Sequence, residues 1–190
     1  FWQANYNQLV NLFPEFKDVS VDELVSMINK TECALIRTEA DELTYPLHIM
    51  VRYEIEKEIA KGNVDYDKLP ELWADKYEEY LGVRPTNYKE GVLQDMHWST
   101  GYLGYFPTYA LGSAYAAQLY ATMEKQFDVK EALLTNHFEK ITNWLKDNVH
   151  HYAASKSMAE IVEEVSGEPF NPDYYTDYLI KKYKKLYNLD

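Results

Sequence analysis

A single cysteine, Cys33, stands in 190 residues. No disulfide can therefore form within the chain, and the sequence fits a reducing compartment, read here as the cytoplasm. No nucleophile signature surrounds Cys33, which reads as a small buried apolar residue. Cationic residues are scarce: 19 Lys and Arg face 31 Asp and Glu, a net charge of −12. That deficit argues against nucleic acid and anionic membrane surfaces as partners, because both need basic patches. Long hydrophobic runs are missing too. The most apolar stretch, Tyr109 to Met123, carries Gly112, Ser113 and Gln118 and is too short to span a bilayer. The chain opens on Phe1-Trp2 with neither methionine nor a basic leader, which reads as a fragment beginning inside a longer protein.

What is abundant is tyrosine, with 18 copies against 7 phenylalanines. A flat apolar ring with a polar tip suits a wet cleft or the edge of a helical core. Nearly every periodic stretch repeats at 3.6 residues, so the expected fold class is all-α. Trp2 to Leu12 reads as a helix closed by Pro14. Ser20-Val-Asp-Glu23 is a capping box that opens a short helix to Ile28. Glu39 to Lys61 reads as one long helix ending at Gly62, with Pro46 placed to kink it or to divide it in two. Leu69 to Leu81 is a helix with Pro70 in its first turn and Gly82 at its stop. Gly82 to Pro107 has no sustained period, and Gly91, Gly101 and Gly104 interrupt it. A loop of that length is usually functional when ordered. Pro107 to about Phe127 and Asp128 to His151 read as two helices. Two more run from Ser157 to Gly167 and from Asp173 to Tyr187. With no repeat or linker, residues 1–190 read as a single helical unit.

Two polar clusters carry the chemistry. Arg37 enters from an extended segment, where its planar fork could take a carboxylate through two parallel hydrogen bonds. An ion pair with Glu39 or Asp41 is the plainer alternative. Glu39, Asp41 and Glu42 suit the first turn of a helix. Asp41, Tyr45 and His48 would share one helix face, without the pairing that a metal site needs. In the loop, Gln94 or Asp95 could orient the imidazole of His97, and a positioned histidine can donate to an oxyanion. Tyr102, Tyr105 and Tyr109 follow closely enough to add a phenolic donor. His137, His150 and His151 do not form facing pairs, and the lysine doublets of residues 181–185 suit a solvated face.

Ile36-Arg-Thr-Glu-Ala-Asp41 and Gly91-Val-Leu-Gln-Asp-Met-His-Trp98 together resemble two signatures of the thermostable zinc metallocarboxypeptidases of the Taq carboxypeptidase type. Leu43-Thr-Tyr45, Leu47-His48, Arg52-Tyr-Glu54, Leu69-Pro-Glu-Leu-Trp73, Gly104 to Gly112 and Ser166-Gly-Glu-Pro-Phe170 extend the likeness through most of the chain. The resemblance implies a multi-helix, gluzincin-like (neurolysin-like) peptidase fold. It implies an enzyme that removes single amino acids from peptide C-termini by metal-activated water, using zinc or cobalt, and a homodimer. It assigns catalytic roles to His97 and Tyr109, with Tyr105 second, and substrate binding to Arg37, Gln94, Asp95 and Asp41. The family's zinc-binding His-Glu-x-x-His is absent from these residues, as are its His-Pro-Phe and Asp-x-Arg-x-Thr segments. The expectation is a substrate-side C-terminal portion with no metal ligands and no activity alone. A non-catalytic helical module that binds peptides or a partner is the competing reading.

Overall fold

The computed structural model describes residues 1–190 and contains nine α-helices and no strand. They are α1 (Trp2–Leu12), α2 (Val21–Ile28), α3 (Tyr45–Ala60), α4 (Leu69–Leu81), α5 (Pro107–Glu124), α6 (Val129–Leu134), α7 (Phe138–Asn148), α8 (Met158–Ser166) and α9 (Asp173–Tyr187). None is long and apolar enough to cross a membrane. The all-α expectation holds, and several boundaries follow from the local chemistry named above. At α2, the Ser20 Oγ accepts from the Glu23 N–H while the Glu23 carboxylate accepts from the Ser20 N–H. The same reciprocal box, between Ser157 and Glu160, opens α8. Gly82 ends α4 at φ 67°, a left-handed position that its neighbours' side chains would resist.

Two expected helices are different. The long helix from Glu39 starts at Tyr45 instead, with Pro46 in its first turn, where the missing N–H costs nothing. Residues 37–39 form a 3₁₀ turn before it. The expected helix from Asp128 to His151 is divided into α6 and α7. Asp128 caps α6 through the Glu131 N–H as read, but Asn136 turns to φ 57° and ends the run.

The helices cluster into two compact units. One comprises residues 1–28 and 113–190, the other residues 29–112. The first is built around Leu119, Met123, Val129, Trp144 and Val162. The second packs α3 against α4 around Val51, Ile55, Trp73, Tyr77 and Leu81. In it the Trp73 and Tyr77 rings stack at 5.3 Å, and the edge of Trp98, from the loop, meets Trp73 at 5.6 Å. Burying each such ring contributes on the order of 2–3 kcal/mol. All the residues singled out for function lie in the 29–112 unit.

Candidate functional site

The 29–112 unit holds a cleft of about 500 Å3 lined by Met96, His97, Thr100, Tyr102, Tyr105 and Tyr109. Its wall comes from the long loop and from the first turn of α5, which places Tyr109 beside the loop histidine. His97 Nε2 lies 3.1 Å from the Tyr109 hydroxyl. The His97 ring packs on Phe106 at 4.3 Å and lies 5.7 Å from Tyr105, and Tyr105 meets Tyr109 edge to face at 5.4 Å. His97 Nδ1 is buried without a hydrogen-bond partner, and the Asp95 carboxylate stands 3.9 Å from it.

Beneath this wall lies an ionic network. Asp95 accepts from Arg37 Nη2 at 2.7 Å and Nε at 3.1 Å, and on its other oxygen from Arg52 Nε at 2.7 Å. Arg52 is fully buried, with Nη1 donating to the His48 carbonyl and to the Tyr77 hydroxyl. Its guanidinium lies 4.5 Å from the Trp73 ring centre. Gln94 ties the loop to the same network. Its Oε1 accepts from the Arg37 backbone N–H and from Arg52 Nη2, while its Nε2 donates to the Leu35 and Glu90 carbonyls. Burial raises the Asp95 pKa, but the Arg37 hydrogen bond and the Arg52 charge outweigh it and hold the carboxyl below its ordinary value. Removing one partner of such a buried set costs more than the pair itself contributes, because a charge is left stranded.

The structure thus brings together Arg37, Gln94, Asp95, His97, Tyr105 and Tyr109. Arg37 pairs with Asp95 rather than with Glu39 or Asp41, and its Nη1 donates to the Tyr45 hydroxyl at 2.9 Å. That spends the side-on edge of its fork, leaving two of its five N–H donors beyond those bonds. Asp41 is engaged elsewhere. Its carboxylate accepts from Thr31 Oγ1, from the Thr44 hydroxyl and from the backbone N–H groups of Glu32, Leu43 and Thr44. Because α3 begins only at Tyr45, Asp41 shares no helix face with Tyr45 and His48.

The sequence places His48 on a face with Asp41 and Tyr45 and gives no role to Arg52 and Glu56. His48, Arg52 and Glu56 fall at i, i+4 and i+8 along α3, and all three are buried. Three titratable side chains on the inward stripe of one helix were the available signal, since a core-facing helix normally spends those positions on apolar residues.

The sequence pattern of the Carboxypeptidase Taq (M32) metallopeptidases matches residues 1–183. Carboxypeptidase 1 of Bacillus subtilis is 46% identical over 100% of this chain, and thermostable carboxypeptidase 1 of Thermus thermophilus is 39% identical over 98%. The chain spans 38% and 37% of the length of these two proteins. The crystal structure of an M32 carboxypeptidase from Deinococcus radiodurans superposes with a TM-score of 0.94 at 33% identity, over 98% of this chain and 38% of that one. With a match over nearly its whole length, the chain belongs to the Carboxypeptidase Taq (M32) metallopeptidase family.

Proposed function

We propose that this chain forms the substrate-facing part of a carboxypeptidase that removes single residues from peptides with a free C-terminal carboxylate. The observation that carries the reading is the His97–Tyr109 pair in the wall of an open, tyrosine-lined cleft. A peptide carbonyl oxygen entering between Nε2 and the phenol would receive two aimed donors as negative charge develops on it. Asp95 and Gln94, clamped by two guanidinium groups, keep the loop backbone beside His97 in place. Arg37 contributes positive charge next to the cleft, and Tyr105 supplies a ring against which substrate packs. Asp41 acts through the backbone that leads into α3.

The family is one of metallopeptidases, and zinc or cobalt is the metal proposed for a whole enzyme. The residues of this chain do not fit such an ion, because no three His, Cys, Asp or Glu side chains are grouped to hold one. Its own contribution is therefore substrate binding, orientation and stabilisation of the developing oxyanion, without the metal, and we expect the 190 residues alone to trim no peptide. A cytoplasmic setting is proposed from the lone, exposed Cys33. Homodimer formation is proposed from exposed apolar side chains such as Leu12, Phe13 and Met27.

The test is kinetic, on the whole protein that carries this chain, with N-blocked dipeptides bearing a free or an amidated C-terminus. Only the free acid is expected to be cleaved. His97→Ala is expected to lower kcat by roughly 100-fold with KM nearly unchanged, the size of effect that loss of one oxyanion donor has elsewhere. A kcat within threefold of wild type would remove His97 from the chemistry. The second reading, a peptide-binding module without turnover, rests on the missing metal ligands. It is favoured if the same peptides bind by calorimetry and are never cleaved.

A further inference from the structure

Glu56, the last member of the α3 stripe, is 5% exposed. Its Oε1 accepts two hydrogen bonds, from the Trp98 indole Nε1 at 2.9 Å and from the Gly104 backbone N–H at 3.0 Å. Its Oε2 is buried without a partner. A core position with only a packing role would be cheaper to fill with an apolar side chain, since a buried carboxylate must be compensated by donors. The two donors it does have are the two ends of one turn. Between them the chain makes a 3₁₀ turn at Trp98–Thr100 and passes through left-handed glycines at Gly101 (φ 84°) and Gly104 (φ 79°). Thr100 and Tyr102 lie inside this segment, and His97 and Tyr105 flank it, so it carries two of the six residues that line the cleft and adjoins two more.

We infer that Glu56 is a positioning residue of this site: one carboxylate oxygen pins both ends of the 98–104 turn to α3 and so sets the wall of the cleft. Its consequence for turnover rests on the proposed function, whereas the pinning itself is a property of the fold. Misplacing reacting groups by about 1 Å can cost roughly 100-fold in rate, so a side chain that touches no substrate can still govern kcat.

The test compares Glu56→Gln, Glu56→Asp and Glu56→Ala, in the whole protein that carries this chain, by hydrogen exchange at Trp98 Nε1–H and Gly104 N–H, with the α4 amides as internal reference, and by kcat and KM on a free-acid dipeptide. Glutamine keeps an acceptor at the same reach, so exchange protection and kcat are expected within about threefold of wild type. Aspartate withdraws the acceptor by one methylene and alanine removes it. Either is expected to lose about tenfold or more in protection at both protons, with α4 little changed, which corresponds to one ordinary hydrogen bond. The kcat is expected to fall with them, by more than KM rises. Aspartate carries the test if the alanine variant does not fold. Unchanged protection in the aspartate or alanine variant, glutamine as damaging as alanine, or equal loss throughout α4 would each overturn the inference. If the whole wild-type protein cleaves nothing, the proposed function fails while exchange still decides the role of Glu56.

Discussion

His48 shows what one buried ring does to the pH response of this unit. It is fully enclosed, with Nδ1 3.1 Å from the Tyr77 hydroxyl and Nε2 without a partner. Burial, and then the positive charges of Arg52 and Arg37, push its pKa down to about 4. The folded state keeps a neutral imidazole, while the unfolded chain takes up a proton near pH 6.5. Between those values the unfolded state binds more protons, so stability is complete above about pH 6.5 and is lost as pH falls toward 4, by on the order of 3 kcal/mol. Urea midpoints measured across that window should fall in wild type. His48→Asn, which offers a similar polar atom to Tyr77 but takes up no proton, should flatten the profile. Equal slopes in the two proteins would mean that another group titrates. Asp95 adds a lower window. Its depressed pKa contributes stability that is present above the ordinary carboxylate value near 3.9 and lost as pH falls through its folded pKa.

At the scale of the element, the start of α3 was misread for a physical reason. Glu39, Asp41 and Glu42 look like the acidic first turn of a helix, yet they precede it. Asp41 instead gathers five donors from residues 31, 32, 43 and 44 and fastens the turn that delivers the chain to Pro46. Burial raises its pKa, and those hydrogen bonds outweigh burial to lower it. Asp41→Ala should therefore cost about 2 kcal/mol, the upper range for loss of a cap, read as a shift in the urea midpoint. Asp41→Asn should recover part of it, since an amide keeps only one acceptor oxygen. A loss in the alanine variant below about 0.5 kcal/mol would demote the cap to an incidental contact. The break between α6 and α7 was hidden differently. Asn136 takes a left-handed conformation that asparagine tolerates, but it punctuates a sequence far less loudly than glycine or proline. The loop was the legible part. His97, Asp95 and Tyr109 lie within fifteen residues of one another, so their grouping could be read locally. The partners that hold them could not, because Arg52 and Asp95 are 43 positions apart and a polar residue on a helix ordinarily faces water.

For the whole molecule, the pattern of α5 runs unbroken through residues 112 and 113, where membership of the two compact units changes. The family was legible, because each signature is a short contiguous run of residues and the likeness continues through most of the chain. What the family leaves open is the metal. A chain with a net charge of −12 attracts divalent cations loosely, but a stoichiometric ion needs converging ligands, and His48, His97 and Asp95 are each committed to protein partners or held too far from a third donor. The 190 residues are accordingly expected to retain well below one zinc per chain after dialysis, measured by plasma mass spectrometry. Thermal unfolding supplies an independent reading. A ligand that binds only the folded state at a hundredfold over its Kd stabilises by about 2.7 kcal/mol, so a true site would raise Tm by several degrees and a chelator would reverse the shift. No such shift is expected with zinc or cobalt. One equivalent of retained zinc together with a chelator-sensitive Tm would place a metal site among these residues and would require the metal-free role proposed for them to be withdrawn.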